Sequence, residues 1–381
     1  MKKIIITVIV TVAAMMAAAV MGIYTMLGSS WDNVAQTARL ISTMGFVKYK
    51  YVDDVPLSQL VDGAIDGMVK SLGDKHSLYM DDEKFKAFMQ QTEGSFGGVG
   101  IVMGFPAEGV CQVVSVMENT PSAQAGIQPK DEIVKIDGVD VSTMQPDEMA
   151  LKIRGEEGTQ VVLTVRRQGQ ENFDVTLTRA NIPLTTAKGT MIDGSNIGYI
   201  RIASFSENTG KEFAKELSSL KEQGMAGLIV DLRGNPGGLI TTCVEIANQL
   251  IPSGEIVSMT DRSGQKTVYE SQLEAFDYPL VVLIDENSAS ASEILAGAVQ
   301  DRQCGTIVGV KSYGKGSVQT MLPLNEGDGL KLTVARYYTP SGRSIDGTGI
   351  QPDVEIALPE HATQDVQLLK AIDVMKEKLA Q

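Results

Sequence analysis

Gly227-Leu228-Ile229-Val230-Asp231-Leu232-Arg233-Gly234-Asn235-Pro236-Gly237-Gly238 passes from a continuous apolar run straight into a glycine turn. A short apolar run bounded by turn signals reads as a strand buried on both faces. The apolar residues that follow, among them Val244, Ile246 and Leu250, read as a helix. Strand, glycine turn and helix start together present unpaired backbone N–H donors to an anion. The same unit recurs: Pro279-Leu280-Val281-Val282-Leu283-Ile284 is a second buried-type strand, followed by Ser288-Ala289-Ser290-Ala291-Ser292-Glu293 and a helix from about Ser292 through Ala298. Upstream, Ile197-Gly198-Tyr199-Ile200-Arg201-Ile202 reads as a strand and Asn208 to about Gln223 as an amphipathic helix. This region is an α/β core.

Ser290 therefore lies at a strand-to-helix junction with the N–H of Ala291 beside it, an oxyanion-hole arrangement in outline. A serine hydroxyl is a weak nucleophile at neutral pH and needs a neighbouring base. The chain of 381 residues has only two histidines, His76 in a helical stretch and His361 in a charged tail, and both read as structural or surface residues. Lys315, in Tyr313-Gly314-Lys315-Gly316, is the alternative base. A lysine serves when burial or neighbours keep its amine neutral, and flanking glycines let the backbone pack closely around it. Gln319 follows at a spacing that points both side chains one way on a strand or a helix. Its amide can accept from the lysine amine, the part a carboxylate plays for histidine elsewhere. Ser292 reads as a helix cap above Glu293, and Ser288 belongs to the preceding turn, which leaves Ser290 as the nucleophile.

Ahead of the core, residues 94 to 180 change to short β-type runs between turns. Ser95-Phe96-Gly97-Gly98-Val99-Gly100-Ile101 is followed by Val110 to Val116, Thr120 to Ile127 and Asp131 to Gly138. This ordered series resembles the PDZ fold. Glycines 97, 98 and 100 would let the N–H groups from Gly97 to Ile101 converge on a peptide's terminal carboxylate, while the strand edge pairs with its backbone.

Residues 32 to 93 read as helical, with Leu40, Ile41, Met44 and Val47, then Leu60, Val61, Ile65, Met68, Val69 and Leu72 at three- and four-residue spacing. Gly73-Asp74 breaks the pattern, and the segment's expected role is packing or self-association into a homo-oligomer. Further upstream, Lys2 and Lys3 precede an apolar stretch from Ile4 to Leu27. As a helix it would reach about 36 Å, enough to cross a hydrocarbon core of about 30 Å. It is either a membrane anchor or a signal peptide cut near Ala17-Ala18-Ala19. The run outlasts a usual signal-peptide core, so the anchor is favoured, with the basic end inside and residues after Trp31 outside the cytoplasm.

A formal net charge of −14 and the lack of a basic stripe exclude a nucleic-acid partner. Cys111, Cys243 and Cys304 are odd in number and far apart, and form neither a metal-ligand spacing nor a disulfide framework.

With these motifs in hand, the chain from about Leu40 to Leu358 resembles the carboxyl-terminal processing proteases, the tail-specific serine peptidases of family S41, clan SK. The resemblance rests on Leu72 to Met80, the PDZ segment, Asp231 to Leu239, Ser288 to Glu293, Gly314 to Gln319, Tyr338-Thr339-Pro340-Ser341-Gly342-Arg343 and Gly349 to Asp353. It departs at His76, where relatives often carry an aromatic residue. It implies Ser290 as nucleophile, Lys315 as general base and Gln319 as the residue that orients the lysine. It also implies oxyanion donors at the N–H of Ala291 and of Gly237 or Gly238. Arg154 matches an arginine that in some relatives couples PDZ occupancy to activation, and it could equally make a surface ion pair.

The expected fold is multidomain α/β: a helical N-terminal region, then a PDZ domain inserted before a crotonase- or ClpP-like α/β serine protease core. The expected boundaries are 1–30 for the signal anchor or signal peptide, 31–93 for the helical region and 94–180 for the PDZ domain. The protease core follows at 184–358 and a C-terminal helical tail at 359–381. The expected activity is an endopeptidase with a Ser-Lys dyad that engages protein C-termini in the cell envelope, in the periplasm or at the cell exterior, without metal or cofactor. A catalytically silent PDZ adaptor is the competing reading. An acyl-CoA enzyme on a crotonase-like core explains neither the PDZ segment nor Lys315.

Overall fold

The computed structural model describes residues 2–26, 28–107, 109–324, 327–359 and 364–381, without the side chains at 2–10, 13, 16, 91 and 147. His361 lies outside the described residues. The chain forms two compact units, Met1–Asp81 and Asp82–Gln381.

The first unit holds helices α1 (Lys2–Met26), α2 (Trp31–Lys50) and α3 (Leu57–Lys70) and a short strand β1 (Leu78–Met80). Among the described residues, no helix is long and apolar enough to cross a membrane. No residue of α2 is buried, and in α3 Val69 is. The break at Gly73-Asp74 is a turn in which the Asp74 carboxylate accepts from the His76 N–H at 3.0 Å and the Ser77 hydroxyl at 2.6 Å.

The second unit opens with α4 (Asp82–Glu93) and the strand β2 (Ser95–Gly98). A PDZ-type sheet follows from β3 (Ile101–Gly104), β4 (Cys111–Val116), β5 (Glu132–Ile136), β6 (Val139–Asp140), β7 (Gln160–Arg166) and β8 (Phe173–Thr178), with helices α5 (Pro121–Gln124) and α6 (Pro146–Ile153). Its order is β3-β4-β5-β7-β8, so β3 is an edge strand. Val161, Leu163 and Val165 alternate into its core with Ile133, Ile136 and Met149, the period-two burial a one-sided sheet requires. The chain leaves through β9 (Ala180–Pro183), which pairs antiparallel with β2. Entry and exit of the PDZ region are thus one ribbon.

The α/β core comprises β10 (Ala187–Met191), β11 (Ile197–Ile202), α7 (Thr209–Glu222), β12 (Gly227–Asp231), α8 (Ile240–Ala247), β13 (Gly254–Asp261), β14 (Lys266–Ser271) and β15 (Leu280–Ile284). It continues with α9 (Ala291–Asp301), β16 (Thr306–Gly309), β17 (Ser317–Pro323), β18 (Gly329–Tyr338), β19 (Val354–Glu355) and α10 (Val366–Leu379). The main sheet has the order β10-β11-β12-β15-β16-β19 and is parallel from β11 onwards. Strands β12 and β15 are buried along their whole length, as a sheet covered on both faces demands. Leu228, Val230, Val282 and Ile284 pack towards α7, α8 and α9, while Ile229, Val281 and Leu283 pack against Ala371, Val374 and Met375 of α10. Each such buried side chain contributes about 1.5–3 kcal/mol. Strands β17, β18, β13 and β14 form a second, antiparallel surface in which β18 lies between β17 and β13.

Candidate active site

Both glycine and serine turns leave the carboxyl ends of neighbouring parallel strands, β12 and β15, where loops in such sheets gather their polar groups. Ser290 is the N-cap of α9 and holds φ 55°, a conformation costly for a residue with a Cβ. Its N–H donates to Glu293 Oε2 at 2.8 Å, the glutamate half of a Ser-x-x-Glu capping box. The helix therefore starts at Ala291 and its cap is Ser290, where the sequence reading puts the cap at Ser292. Ser292 is instead buried and donates to the Asn235 carbonyl at 3.0 Å. Ser288 is buried in the preceding turn, donating to the Leu232 carbonyl at 2.8 Å.

Asn235, fully buried, joins the two turns. Its carbonyl accepts from the Ala289 N–H and the Ser292 hydroxyl, its Nδ2 donates to the Ile202 carbonyl at 2.9 Å, and its Oδ1 accepts the Gly237 N–H at 2.8 Å. That last bond occupies the Gly237 donor. The N–H groups of Gly238 and Ala291 have no acceptor among the described residues. Gly237 and Gly238 hold φ 100° and 145°, in the region that favours glycine, and a Cβ at 238 would lie 2.1 Å from the Phe205 carbonyl oxygen.

Lys315 is half-buried in the loop before β17, and its N–H donates to Glu293 Oε2 at 2.9 Å. The same carboxylate oxygen thus receives the backbone N–H of Ser290 and of Lys315. The other oxygen accepts the Ser312 hydroxyl at 2.6 Å and the Gly314 N–H at 2.7 Å. Ser312 itself accepts the Ile350 N–H at 2.6 Å. Burial pushes the Glu293 carboxyl above its ordinary range, and these four bonds oppose that rise. All four partners are donors, so the carboxyl is bound as the anion. On the far side, the Tyr337 hydroxyl reaches the carbonyls of Ser290, at 3.2 Å, and of Lys315. Burial, then the nearby Glu293 charge, holds the Tyr337 hydroxyl far above its usual pKa, so it stays a donor.

Gln319 donates its Nε2 to the Ser317 hydroxyl at 2.9 Å and the Thr333 hydroxyl at 3.2 Å, which turns its amide oxygen the other way. Simple alternation does not relate it to Lys315. Lys315 lies in the loop before the strand, which begins at Ser317.

In the PDZ region, Gly97 and Gly98 belong to β2, and the Gly97 carbonyl accepts from the Gly155 N–H at 3.1 Å. Val99 and Gly100 form the turn into β3, which starts at Ile101. The carbonyls of Val99 and Gly100 accept from Ser122 and Met117, while their N–H groups have no acceptor among the described residues. Arg154, the C-cap of α6, lies 4.6 Å over the Phe96 ring of β2, a cation–π contact, and makes no ion pair among the described residues.

Sequence reasoning assigned no role to Asn235, Glu293, Ser312 or Tyr337. Nor did it single out Arg233, which forks onto Asp231 at 2.6 Å and Asp365 at 2.8 Å and ties the strand before the glycine turn to α10. Tyr199 donates to the same Asp231 at 2.7 Å, and burial with that charge pushes its hydroxyl up to about 12.

Residues 196–356 match the model of peptidase family S41, residues 112–167 a PDZ domain, and residues 16–84 the N-terminal domain of activating protease CtpB. The carboxy-terminal processing protease CtpA of Bacillus subtilis is 39% identical over 318 residues, covering 83% of this chain and 68% of that protein. The carboxy-terminal-processing protease of Bartonella bacilliformis is 39% identical over 332 residues, 85% of this chain and 76% of that protein. A solved photosystem II D1 C-terminal processing protease is 30% identical, with a TM-score of 0.49, over 85% of this chain and 88% of that one.

Proposed function

Since the chain belongs to peptidase family S41 and is a serine-type C-terminal processing peptidase, we propose that it cleaves protein tails with Ser290 as nucleophile and Lys315 as base. The observation that carries this reading is Ser290 itself. It is held at φ 55° on the turn between β15 and α9, against Gly237, and the N–H groups of the adjoining Ala291 and of Gly238, next to Gly237, have no acceptor among the described residues.

Ser290 Oγ attacks the scissile carbonyl carbon as the Lys315 amine takes its proton. The carbonyl electron pair moves onto oxygen, where the Ala291 and Gly238 N–H groups stabilise the charge. Collapse breaks the C–N bond, the amine leaves with the proton from Lys315, and an ester on Ser290 remains. Water then repeats the steps and frees the acid. Gln319, anchored through its Nε2, offers its amide oxygen to the lysine. Gly237 is a packing residue in this scheme, because Asn235 already holds its N–H.

The PDZ domain gathers substrates. The free N–H groups of Val99 and Gly100 suit a terminal carboxylate, and the edge strand β3 suits pairing with the tail's backbone. We assign residues 94–180 to this domain and 184–358 to the protease core, with helical regions at 31–93 and 359–381. The Lys2-Lys3 start and the apolar run Ile4–Leu27 support an anchor that leaves the remainder on the extracytoplasmic side of the cell envelope, in the periplasm or at the cell exterior.

The test is covalent labelling by a serine-directed probe together with cleavage of a tail peptide. Wild-type protein labels and cleaves, and Ser290→Ala and Lys315→Ala each lose both, with losses that do not add in the double variant. A folded wild-type protein that neither labels nor cleaves is the PDZ adaptor instead.

A further inference from the structure

Two buried side chains outside the reacting groups touch the backbones of both Ser290 and Lys315, one from the amide side and one from the carbonyl side. Glu293 Oε2 accepts the two N–H groups, at 2.8 and 2.9 Å. The Tyr337 hydroxyl lies between the two carbonyl oxygens. Glu293 and Tyr337 are each almost wholly inaccessible to solvent, so water does not compete for either tie.

The two residues come from different parts of the fold. Glu293 stands in the first turn of α9, fixed there by the capping box. Tyr337 stands on β18, whose own N–H bonds to the Gly316 carbonyl at 3.0 Å and so carries the strand alongside the lysine loop. The nucleophile is on the helix side and the base on the strand side, with no covalent link shorter than the chain from 290 to 315. Their separation is therefore decided by what bridges the two segments.

We propose that Glu293 and Tyr337 are a positioning pair that sets the distance between nucleophile and base. The inference rests on the Ser290–Lys315 reading above. Neither residue touches substrate. Glu293 receives both amides as one anion, and Tyr337 uses its single proton across both carbonyls, so the two segments can separate only by breaking both ties. A misplacement of about 1 Å at reacting atoms lowers rates by about 10²-fold, which gives the pair its leverage.

The two variants that probe it best are Tyr337→Phe, which deletes one buried hydroxyl and keeps the ring, and the pair Glu293→Gln and Glu293→Ala. A glutamine can keep one oxygen towards the Ser290 and Lys315 amides, whereas alanine keeps neither. In the full chain, we expect Tyr337→Phe to stay folded and lose about tenfold in kcat and in the rate of probe labelling, with KM within twofold. Glu293→Gln should retain at least tenfold more kcat than Glu293→Ala. A purely structural role would lower the melting temperature of Tyr337→Phe while leaving its kcat and labelling rate unchanged, and that result overturns the proposal. So would equal kcat for Glu293→Gln and Glu293→Ala when both are folded, which keeps the question decidable if Tyr337→Phe does not fold. Labelling that survives Ser290→Ala would instead overturn the nucleophile assignment, and this inference with it.

Discussion

Gly237 and Ser290 approach so closely that a Cβ at 237 would lie 2.8 Å from the Ser290 Cβ. The same atom would be 2.7 Å from the Ala289 carbonyl oxygen and 2.9 Å from the Ala291 nitrogen. All three neighbours are backbone atoms or the Ser290 Cβ, so nothing can yield without moving the serine turn. Gly237→Ala should therefore cost about 10²–10³ in kcat, as much as losing an oxyanion donor. Gly224→Ala is the control. Its φ is 83° and its Cβ meets nothing within 4 Å, so it should lower the melting temperature and leave turnover intact. Normal turnover in folded Gly237→Ala would show that the two turns are not as tightly opposed as this.

The PDZ turn makes a separate prediction. If the Val99 and Gly100 amides hold a terminal carboxylate, a tail peptide with a C-terminal amide should bind at least tenfold more weakly than the free acid in a calorimetric titration. Equal affinities would remove the carboxylate from the recognition scheme.

Arg154 caps α6 and stacks on Phe96 of β2, the strand that pairs with the exit strand β9. This places a side-chain contact between the end of α6 and the ribbon that joins the PDZ domain to the core. Arg154→Ala should leave tail affinity within twofold and reduce turnover of PDZ-engaging substrates severalfold, while a short peptide that does not engage the PDZ domain is cleaved as before. Equal loss on both substrates would assign Arg154 to general stability.

Acid should loosen α10. Hydrogen bonding from Arg233 holds the Asp365 carboxyl below its ordinary value, and Asp365 also caps α10 through the Leu368 N–H. A depressed native pKa means the unfolded chain binds the proton more readily, so the stabilisation is complete above about pH 4 and is lost as pH falls through the native value. Asp365→Asn should melt lower than wild type at neutral pH, and the gap should close on acidification through that window. A gap that stays constant with pH would mean the Arg233–Asp365 charge pair is not its source.

Much of this site was legible because its signals are local. The strand-to-turn transitions at Asp231 and Ile284 and the order of PDZ turns are each written within a few residues, and the fold preserves them. Glu293 has a local signal too, the Ser-x-x-Glu spacing from Ser290, but the neighbouring Ser292 offers the same cap chemistry in sequence. A capping box explains one bond of Glu293, whereas the other three come from residues 312 to 315. Tyr337 had no local signal at all, since its hydroxyl meets Ser290 and Lys315 only because β18 pairs beside β17. Asn235 is similar: its carbonyl reaches Ala289 through the adjacency of β12 and β15, which no periodicity encodes. Gln319 shows the converse, a spacing rule made inapplicable because Lys315 lies in the loop before β17.

The identity of the base admits one further test, because a histidine-assisted hydrolase and a lysine-assisted one share the same serine turn. The chain has two histidines, His76 and His361. The backbone of His76 is committed to the Asp74 turn, and the groups whose bonds fix the Ser290 backbone are Glu293, Tyr337 and the helix it caps. None of these is a histidine, whereas Glu293 and Tyr337 both extend to Lys315. Replacing both histidines by alanine should therefore leave kcat and the labelling rate within about twofold of wild type. A lysine base must shed its proton to act, so turnover should also rise with pH, and the acid limb of that rise should persist in the histidine-free protein. If the histidine-free protein were folded and inactive, the role given to Lys315 would have to be withdrawn, however well the serine turn matches its family.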